Sequence, residues 1–514
     1  MLRFSLAFQL RLFAGGHRGV VTPVPIPNTE VKGSFAEGSA GLARARVGRR
    51  RLFYFHTEID IPNRMSFSIW ARRIKMPVSM SRKSFLKCAA AFAAAPLPSL
   101  AESPVRKWYK GNLHMHTLVS DGRAFPVEAA LLYRDIGYNF VMFSDHNLVH
   151  DTEKWVSEKG HKRRRFSETA AKRFAEKYPA FRPHTRVAPD GATEWRCGTF
   201  EETAKAVDDP GRFLLMGGCE YNDSILDKRQ LHCNVINSFK GHVGKKRCAD
   251  IWASFRNMYS SYSRNASEED SIFMLNHPLY WFYDVDPLIL ADVDELRFFE
   301  IDANPSMPFK KLPKGAYDTD KLWDFALAKR AMRGAPPIFA VGTDDTHSYN
   351  NLYDEIEGKR PIYGKHSFVC VAAKELTPSG IVSAMRKGDF YASTGVEFSD
   401  ISMENGTLSV EVSKASKKDC RIIFYGTKRT AKLSCSPGAE RTLEDFAGEL
   451  GAKKPLSKSV GKSRRIPELP GEAGIVLAET EGRKASYSLK GDDLYVRAKV
   501  VSGNAFAWTQ PLFA

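Results

Sequence analysis

Asn139-Phe140-Val141-Met142-Phe143-Ser144-Asp145-His146-Asn147 is a short apolar run that ends abruptly in an acid and an imidazole. Four consecutive apolar residues between polar flanks suit a strand buried on both faces. Asp145 and His146 follow where such a strand stops.

The same design recurs on either side. Strands are expected at Asn112–Thr117, Asn139–Ser144, Phe213–Cys219, Leu231–Asn237, Ile272–Asn276, Arg297–Asp302, Ile338–Gly342 and Ser367–Ala372. Helical stretches lie between several of them. Pro126–Asp135 opens with a first-turn proline and continues in Ala and Leu, and Thr319–Met332 and Thr377–Lys387 also have helical texture. Alternation of this kind predicts an α/β barrel of parallel strands over 102–395. The long charged stretch 151–210 is expected as an insertion over one end. After Gly395 the texture changes. Ile401–Gly406 reads as strand into turn, and Leu408–Val412, Arg421–Tyr425, Ala485–Leu489 and Leu494–Val501 alternate as strands do, with long loops over 436–472. Residues 396–514 are therefore expected as a β-sandwich-like accessory domain.

Histidines and acids gather at these strand ends. His114-Met115-His116 places two imidazoles two residues apart, hence on one side of a strand. Asp121 follows in Ser120-Asp121-Gly122, then Asp145-His146, Glu220, His232, His277, and finally Asp344-Asp345-Thr346-His347. A lone histidine is more often a satisfied or surface residue than a ligand. Six histidines and three carboxylates, each at an expected strand end, reverse that balance, because the strand C-termini of a parallel barrel share one face. Imidazole and carboxylate suit zinc, iron and manganese.

The ordered set HxH, SDG, DH, E, H, H, DxH resembles the PHP (polymerase and histidinol phosphatase) domain. Gly111–Thr117, His232–Asn237, Gly342–His347, Gly388–Gly395 and the closing Ala507-Trp508-Thr509-Gln510-Pro511 narrow the resemblance to secreted PHP metallohydrolases of the carbaryl-hydrolase kind. The likeness covers roughly 107–398 strongly and the C-terminal part weakly. It implies a distorted seven-stranded (β/α) barrel and two or three divalent cations. By that resemblance His114, His116, Glu220 and Asp345 would hold the first cation. Glu220 would bridge to a second held by His232 and His277, and Asp121, His146 and His347 would hold the third. Glu220 would also be catalytic through its bridging position. Asp145 is expected to act behind the ligands by orienting a liganding imidazole. Asp344 reads equally as such a partner or as a turn residue, and Cys219 as a small buried filler.

Clustered divalent cations imply hydrolysis by a metal-activated hydroxide, and no G-x-S-x-G elbow or Walker loop competes with it. The expected substrate is a small-molecule phosphoester. A carboxylic-ester, carbamate or amide hydrolase remains open, as does a non-catalytic cell-surface or sugar-binding protein. Arg123 and Arg229 could clamp phosphate, although each reads more simply as a solvated loop cation. Asn276, Tyr280 and Trp281 could line a pocket. Asn304 reads equally as a turn residue or a substrate contact, and Tyr391 as packing between barrel and accessory domain.

Residues 1–101 carry 16 Lys+Arg against 4 Asp+Glu, or +12 of the chain's +17. The remaining charge is too small and dispersed for a nucleic-acid partner, and Lys162-Arg163-Arg164-Arg165 reads as a solvated helix face. Ser81-Arg82-Lys83-Ser84-Phe85-Leu86-Lys87 resembles a twin-arginine export motif. It is followed by an apolar stretch from Cys88 to Leu97, too short to span a membrane, and a small-x-small site at Ser99-Leu100-Ala101. The expectation is a signal peptide over 76–101, translation from Met76 or Met80, and no fixed structure over 1–75. The protein would then be periplasmic or secreted, meeting the twin-arginine machinery transiently. Seven cysteines follow the leader, and Cys420 with Cys435 is the disulfide pair to check first. N-terminal sequencing of the exported protein should begin at Glu102, and changing Arg82-Lys83 to Lys-Lys should hold an active precursor inside the cell. A mature species that still carries residues 76–101 would refute this route.

Overall fold

The structure, a computed structural model, describes the strand backbone over 42–47, 50–61 and 65–70. It further describes residues 107–158, 166–226, 229–244, 247–279, 283–303, 316–416, 419–442, 444–445, 449 and 463–514. The export leader, Lys162–Arg165, Tyr280, Trp281 and Asn304 lie outside these residues. Residues 1–103 and 104–514 form two compact units. In the first, Leu42–Val47, Arg50–Ile61 and Met65–Trp70 pair antiparallel in that order. The sequence reading placed no element there, having passed over the alternation of Phe53, Phe55, Thr57, Ile59 and Ile61.

The second unit is mixed α/β. Strands β1 (Lys107–Asn112), β2 (Phe140–Met142) and β3 (Leu214–Met216) run parallel. Strands β4 (Gly218–Ser224), β5 (Gln230–Ile236), β6 (Ile272–Leu275), β7 (Phe298–Ala303) and β8 (Phe339–Thr343) make a second sheet in that order. Two parallel bridges stitch the sheets together at the same end, His146 with Glu220 and Met115 with Thr346. Alternate residues of both sheets (Phe140, Met142, Ile272, Met274, Phe339, Val341) meet in one apolar cluster. The intervening residues, such as Val141, Phe143, Phe273 and Leu275, pack outward against helices. This two-sided burial is why the strands read as continuous apolar runs.

Two expectations change here. The strands are not all parallel, because β5 is antiparallel to both β4 and β6. The run expected as Phe213–Cys219 also breaks at Gly217, where a Cβ would lie 2.3 Å from the Phe239 ring. Three helices fall as read, α1 (Pro126–Asp135), α3 (Thr319–Met332) and α4 (Pro378–Arg386), while α2 (Ile251–Asn265) had no counterpart in the sequence reading. Local chemistry sets their starts: Asp250, Asp318 and Thr377 each accept a first-turn N–H. Residues 151–210 hold helices Glu168–Lys177 and Phe200–Val207 and a small antiparallel sheet.

Sheet continuity crosses position 395. Strand β9 (Phe368–Ala373) pairs with β1 and with β10 (Phe390–Ser393). Further strands are β11 (Phe398–Glu404), β12 (Thr407–Val412), β13 (Arg421–Lys428), β14 (Ile475–Glu481), β15 (Lys484–Ser488), β16 (Asp493–Ser502) and β17 (Ala505–Thr509). Strand β17 pairs with β10, so β13, β14, β16 and β17 extend the sheet that contains β1. Strands β11, β12 and β15 form a separate antiparallel sheet. Tyr391 lies at this junction, edge-on to both Trp108 and Phe398 and accepting the Phe398 N–H. None of the seven described cysteines is in a disulfide. Cys420 lies in one apolar cluster and Cys435 against another, and the expected pair is not formed. No described helix is long and apolar enough to cross a membrane.

A buried ion pair ties the C-terminal sheet to α3. Arg497 donates to both Asp324 oxygens at 2.8 and 2.6 Å, with both residues nearly inaccessible. Asp324→Ala should cost about 3–5 kcal/mol, because it strands a buried guanidinium. The check is the denaturant midpoint; a loss under about 1 kcal/mol would show that Asp320, 3.0 Å from the same guanidinium, suffices.

Candidate metal centre

The nine expected ligands converge. Asp345 Oδ1 stands 3.3 Å from His114 Nε2 and 3.1 Å from His116 Nε2. Glu220 lies at the middle: Oε1 is 3.3 Å from His114, 3.1 Å from His232 and 3.5 Å from His277, and Oε2 is 2.6 Å from His146 Nδ1. Asp121 Oδ1 is 3.4 Å from both His146 Nε2 and His347 Nε2. Three groups have ligand atoms close enough to share an ion: His114 with His116 and Asp345; His114 with Glu220 and His277; and His116 with Asp121, His146 and His347. The third group is the one implied by the family resemblance with His116 added. His232 joins through Glu220.

Each segment arrives for a local reason. His114 and His116 continue β1 beyond its last paired residue, and the His116 N–H donates to Thr346 O. His146 follows β2, Glu220 lies inside β4, His277 follows β6, and Asp345 and His347 follow β8. His232 is the exception in position: it lies near the start of β5, and the antiparallel course of that strand brings its beginning to the same end.

The backbone is strained at two of these residues. His277 has φ 22° and Asp345 φ 43°, both in the left-handed region that side chains avoid. Strain of this kind persists only where surrounding bonds hold it, and it concentrates at functional sites.

Glu300, inside β7, supplies such bonds, and the sequence reading missed it. Its Oε1 lies 2.6 Å from His114 Nδ1 and accepts from Thr343 Oγ1 at 2.7 Å; its Oε2 accepts the His277 N–H at 2.7 Å. With Nδ1 turned to a carboxylate, His114 presents Nε2 to the cluster. The available signal was an acid inside the apolar run Phe298-Phe299-Glu300-Ile301.

The other candidates sort by contact. Asn276 is buried and donates to Glu220 Oε1 at 2.8 Å, so it holds a ligand instead of lining a pocket. Asp145 accepts from the Thr117 N–H and hydroxyl and from the Ser120 N–H at 2.9 Å each, also from the Ser120 hydroxyl, and pairs with His150 at 2.5 Å. It therefore fixes the 117–120 turn that delivers Asp121, where an orienting bond to a liganding imidazole had been expected. Asp344 is an interior hub, bound by Tyr133 and His366 at 2.6 Å each. Cys219 is fully buried on the strand face opposite Glu220. Arg123 and Arg229 are both half-buried.

The electrostatics follow from crowding. Burial opposes charge on Glu220, yet the imidazoles of His232, His146 and His114 hold its carboxyl well below the usual range. Asp345 and Asp121 are lowered in the same way by their histidines. Burial also opposes charge on His114, but Glu300, Asp345 and Glu220 outweigh it and raise its pKa well above the ordinary value. His116 goes the other way, pushed down to about 4 by burial and by the neighbouring His347 and His146.

The donor set fits divalent cations. Carboxylate oxygens that only accept and imidazole nitrogens face one another, with His114 Nε2 only 3.1 Å from His116 Nε2. His114 and His116 are closed to solvent, whereas Asp121, His146 and His347 are 42%, 29% and 34% exposed.

No family model matches the chain, and no curated protein matches it. Among solved structures it is similar to a two-domain protein containing a predicted PHP-like metal-dependent phosphoesterase from Bacteroides vulgatus. That similarity has 14% identity and a TM-score of 0.34 and covers 75% of this chain and 96% of that one. It is also similar to an amidohydrolase from Chromobacterium violaceum with bound sulfate and no metal, at 11% identity and a TM-score of 0.23, covering 48% and 96%.

Glu300→Gln should weaken metal binding about 10–100-fold, the usual cost of losing a partner that orients a ligand. Competition against a chromophoric chelator measures this. Affinity within about two-fold of the parent would show that His114 needs no carboxylate behind it.

Proposed function

We propose that this chain is an exported PHP-type metal-dependent hydrolase acting on phosphoesters, with its two sheets forming one distorted seven-stranded barrel. The observation that carries the reading is the convergence of Glu220 with His114, His146, His232 and His277 at one end of both sheets. The two bridges at that end support barrel closure. The residues would hold two or three divalent cations, zinc, manganese or iron. When bound, such closely spaced cations supply an activated water and polarise the substrate's phosphoryl oxygen.

The chain's own residues do the rest. Glu220 places one carboxylate among four imidazoles. Asn276 and Asn222 donate to its two oxygens at 2.8 and 3.4 Å and fix its plane. Asp121, His146 and His347 form the edge that substrate meets first. The signal-like pattern of residues 76–101 is the support for a periplasmic or secreted location.

Glu220→Gln should lose both bound metal, by elemental analysis, and turnover. Asp145→Asn should act only through the Asp121 turn and cost about 10–100-fold. A screen of the metal-loaded chain on phosphomonoester, phosphodiester, carboxylic-ester and carbamate chromogens separates the substrate classes. Full metal and full turnover in Glu220→Gln would overturn the reading, and carboxylic-ester or carbamate turnover without phosphoester turnover would replace its substrate class.

A further inference from the structure

Two segments next to the open edge of the metal cluster carry exposed apolar side chains. His146 Nδ1 lies 2.8 Å from Asn222 Oδ1, and Asn222 accepts and donates across to Asn147. The loop 238–244 packs on this asparagine pair. A Cβ at Gly241 would lie 2.7 Å from Asn147 O and 3.7 Å from the Leu148 Cα, and one at Gly244 would lie 2.6 Å from Asn222 O. Three large apolar side chains sit on these two segments in solvent: Val243 is 89%, Phe239 53% and Leu148 42% exposed. Phe239 is not loose, since its ring covers Gly217 and stands edge-on to Phe200 at 5.0 Å. The Tyr221 hydroxyl pins the loop backbone at Lys240 O, 3.0 Å away.

Single exposed apolar residues are ordinary on a protein surface. Three on adjoining, anchored segments beside a cluster of polar donors match the composition of a small-molecule site, in which apolar walls bind and a few polar groups orient. The fully buried His114 and His116 close the other side of the cluster. A substrate must therefore enter past Asp121, His146 and His347, and the part that is not reacting extends over the neighbouring surface.

We propose that Leu148, Phe239 and Val243 form the binding wall for a large apolar group on the substrate, making the preferred substrate a phosphoester of a long-chain or aromatic alcohol. This rests on the hydrolase reading above for the reacting group and on the rim for the rest.

Calorimetry on the manganese-loaded full chain, with octylphosphonate and methylphosphonate as probes that cannot be hydrolysed, tests it. Octylphosphonate should bind about ten-fold more tightly or better, a modest fraction of what burying its whole alkyl chain would give. The octyl-to-methyl affinity ratio should fall by about five-fold or more in Val243→Asp and in Leu148→Asp, where a charge replaces apolar surface. Equal affinities, no binding of either probe, or a ratio unchanged in both variants overturns the proposal. Turnover of 4-nitrophenyl phosphate by the same preparation keeps the two readings apart. Turnover without alkyl preference removes the rim and keeps the hydrolase; preference without turnover does the reverse.

Discussion

The Glu300 carboxylate is the constraint on which the site depends. It is almost wholly buried, and an ionised carboxylate without partners would be costly there. Its partners come from three different strand ends: the His114 ring after β1, the His277 amide after β6 and the Thr343 hydroxyl on β8. One side chain on β7 thus sets the separation of three ligand-bearing segments. It also holds the unfavourable backbone of His277, whose N–H is one of the three donors. Removing the acid would free a strained turn as well as an imidazole.

A second network fixes the same end from behind. Asn112 accepts the N–H groups of both His114 and Asp344 and donates to His114 O and to the Tyr133 hydroxyl. Tyr133 reaches on to Asp344 and Thr346. The HxH and DxH segments are therefore clamped together by side chains that touch none of the nine ligands' coordinating atoms. Such a closed polar network gives a unique geometry because any slip leaves a buried donor or acceptor unpaired.

The sequence made the ligands legible because their chemistry is unusual for strand ends. Helix Pro126–Asp135 was legible from its first-turn proline, whereas Ile251–Asn265, started by the Asp250 cap, was not foreseen. What it hid was direction. An apolar run such as Leu231–Ile236 carries no sign of whether it runs with or against its neighbours, so the antiparallel β5 went unforeseen even though His232 was assigned to the cluster. Partners behind the ligands were hidden for a related reason. Glu300 and Asn276 lie within or beside buried strands, and only the fold shows that they face His114 and Glu220 and not each other. Asp145, adjacent to a ligand in sequence, was credited with orienting a liganding imidazole, but its hydrogen bonds go to Thr117, Ser120 and the non-liganding His150. Alternation along an extended chain sends neighbours to opposite sides, and Asp145 points to Thr117 and Ser120 while His146 points to Glu220.

The change of texture after Gly395 was read as a domain border, but the last residues return to the scaffold of the site. Strand β8 is paired with β7 along one edge, while the Met115–Thr346 bridge meets its other side only beyond its end. The Ala340 N–H and C=O are buried and need partners. Gln510 supplies both from one side-chain amide, at 3.0 and 2.9 Å, in the manner of a neighbouring strand. The preceding residue Thr509, the last of β17, is registered on Tyr391 of β10, so the Gln510 amide is held by sheet pairing that begins elsewhere. Strand β8 carries Asp345 and His347 just past its end. Its register therefore depends on a residue near the C-terminus, and the C-terminal sheet belongs to the framework that positions the metal ligands.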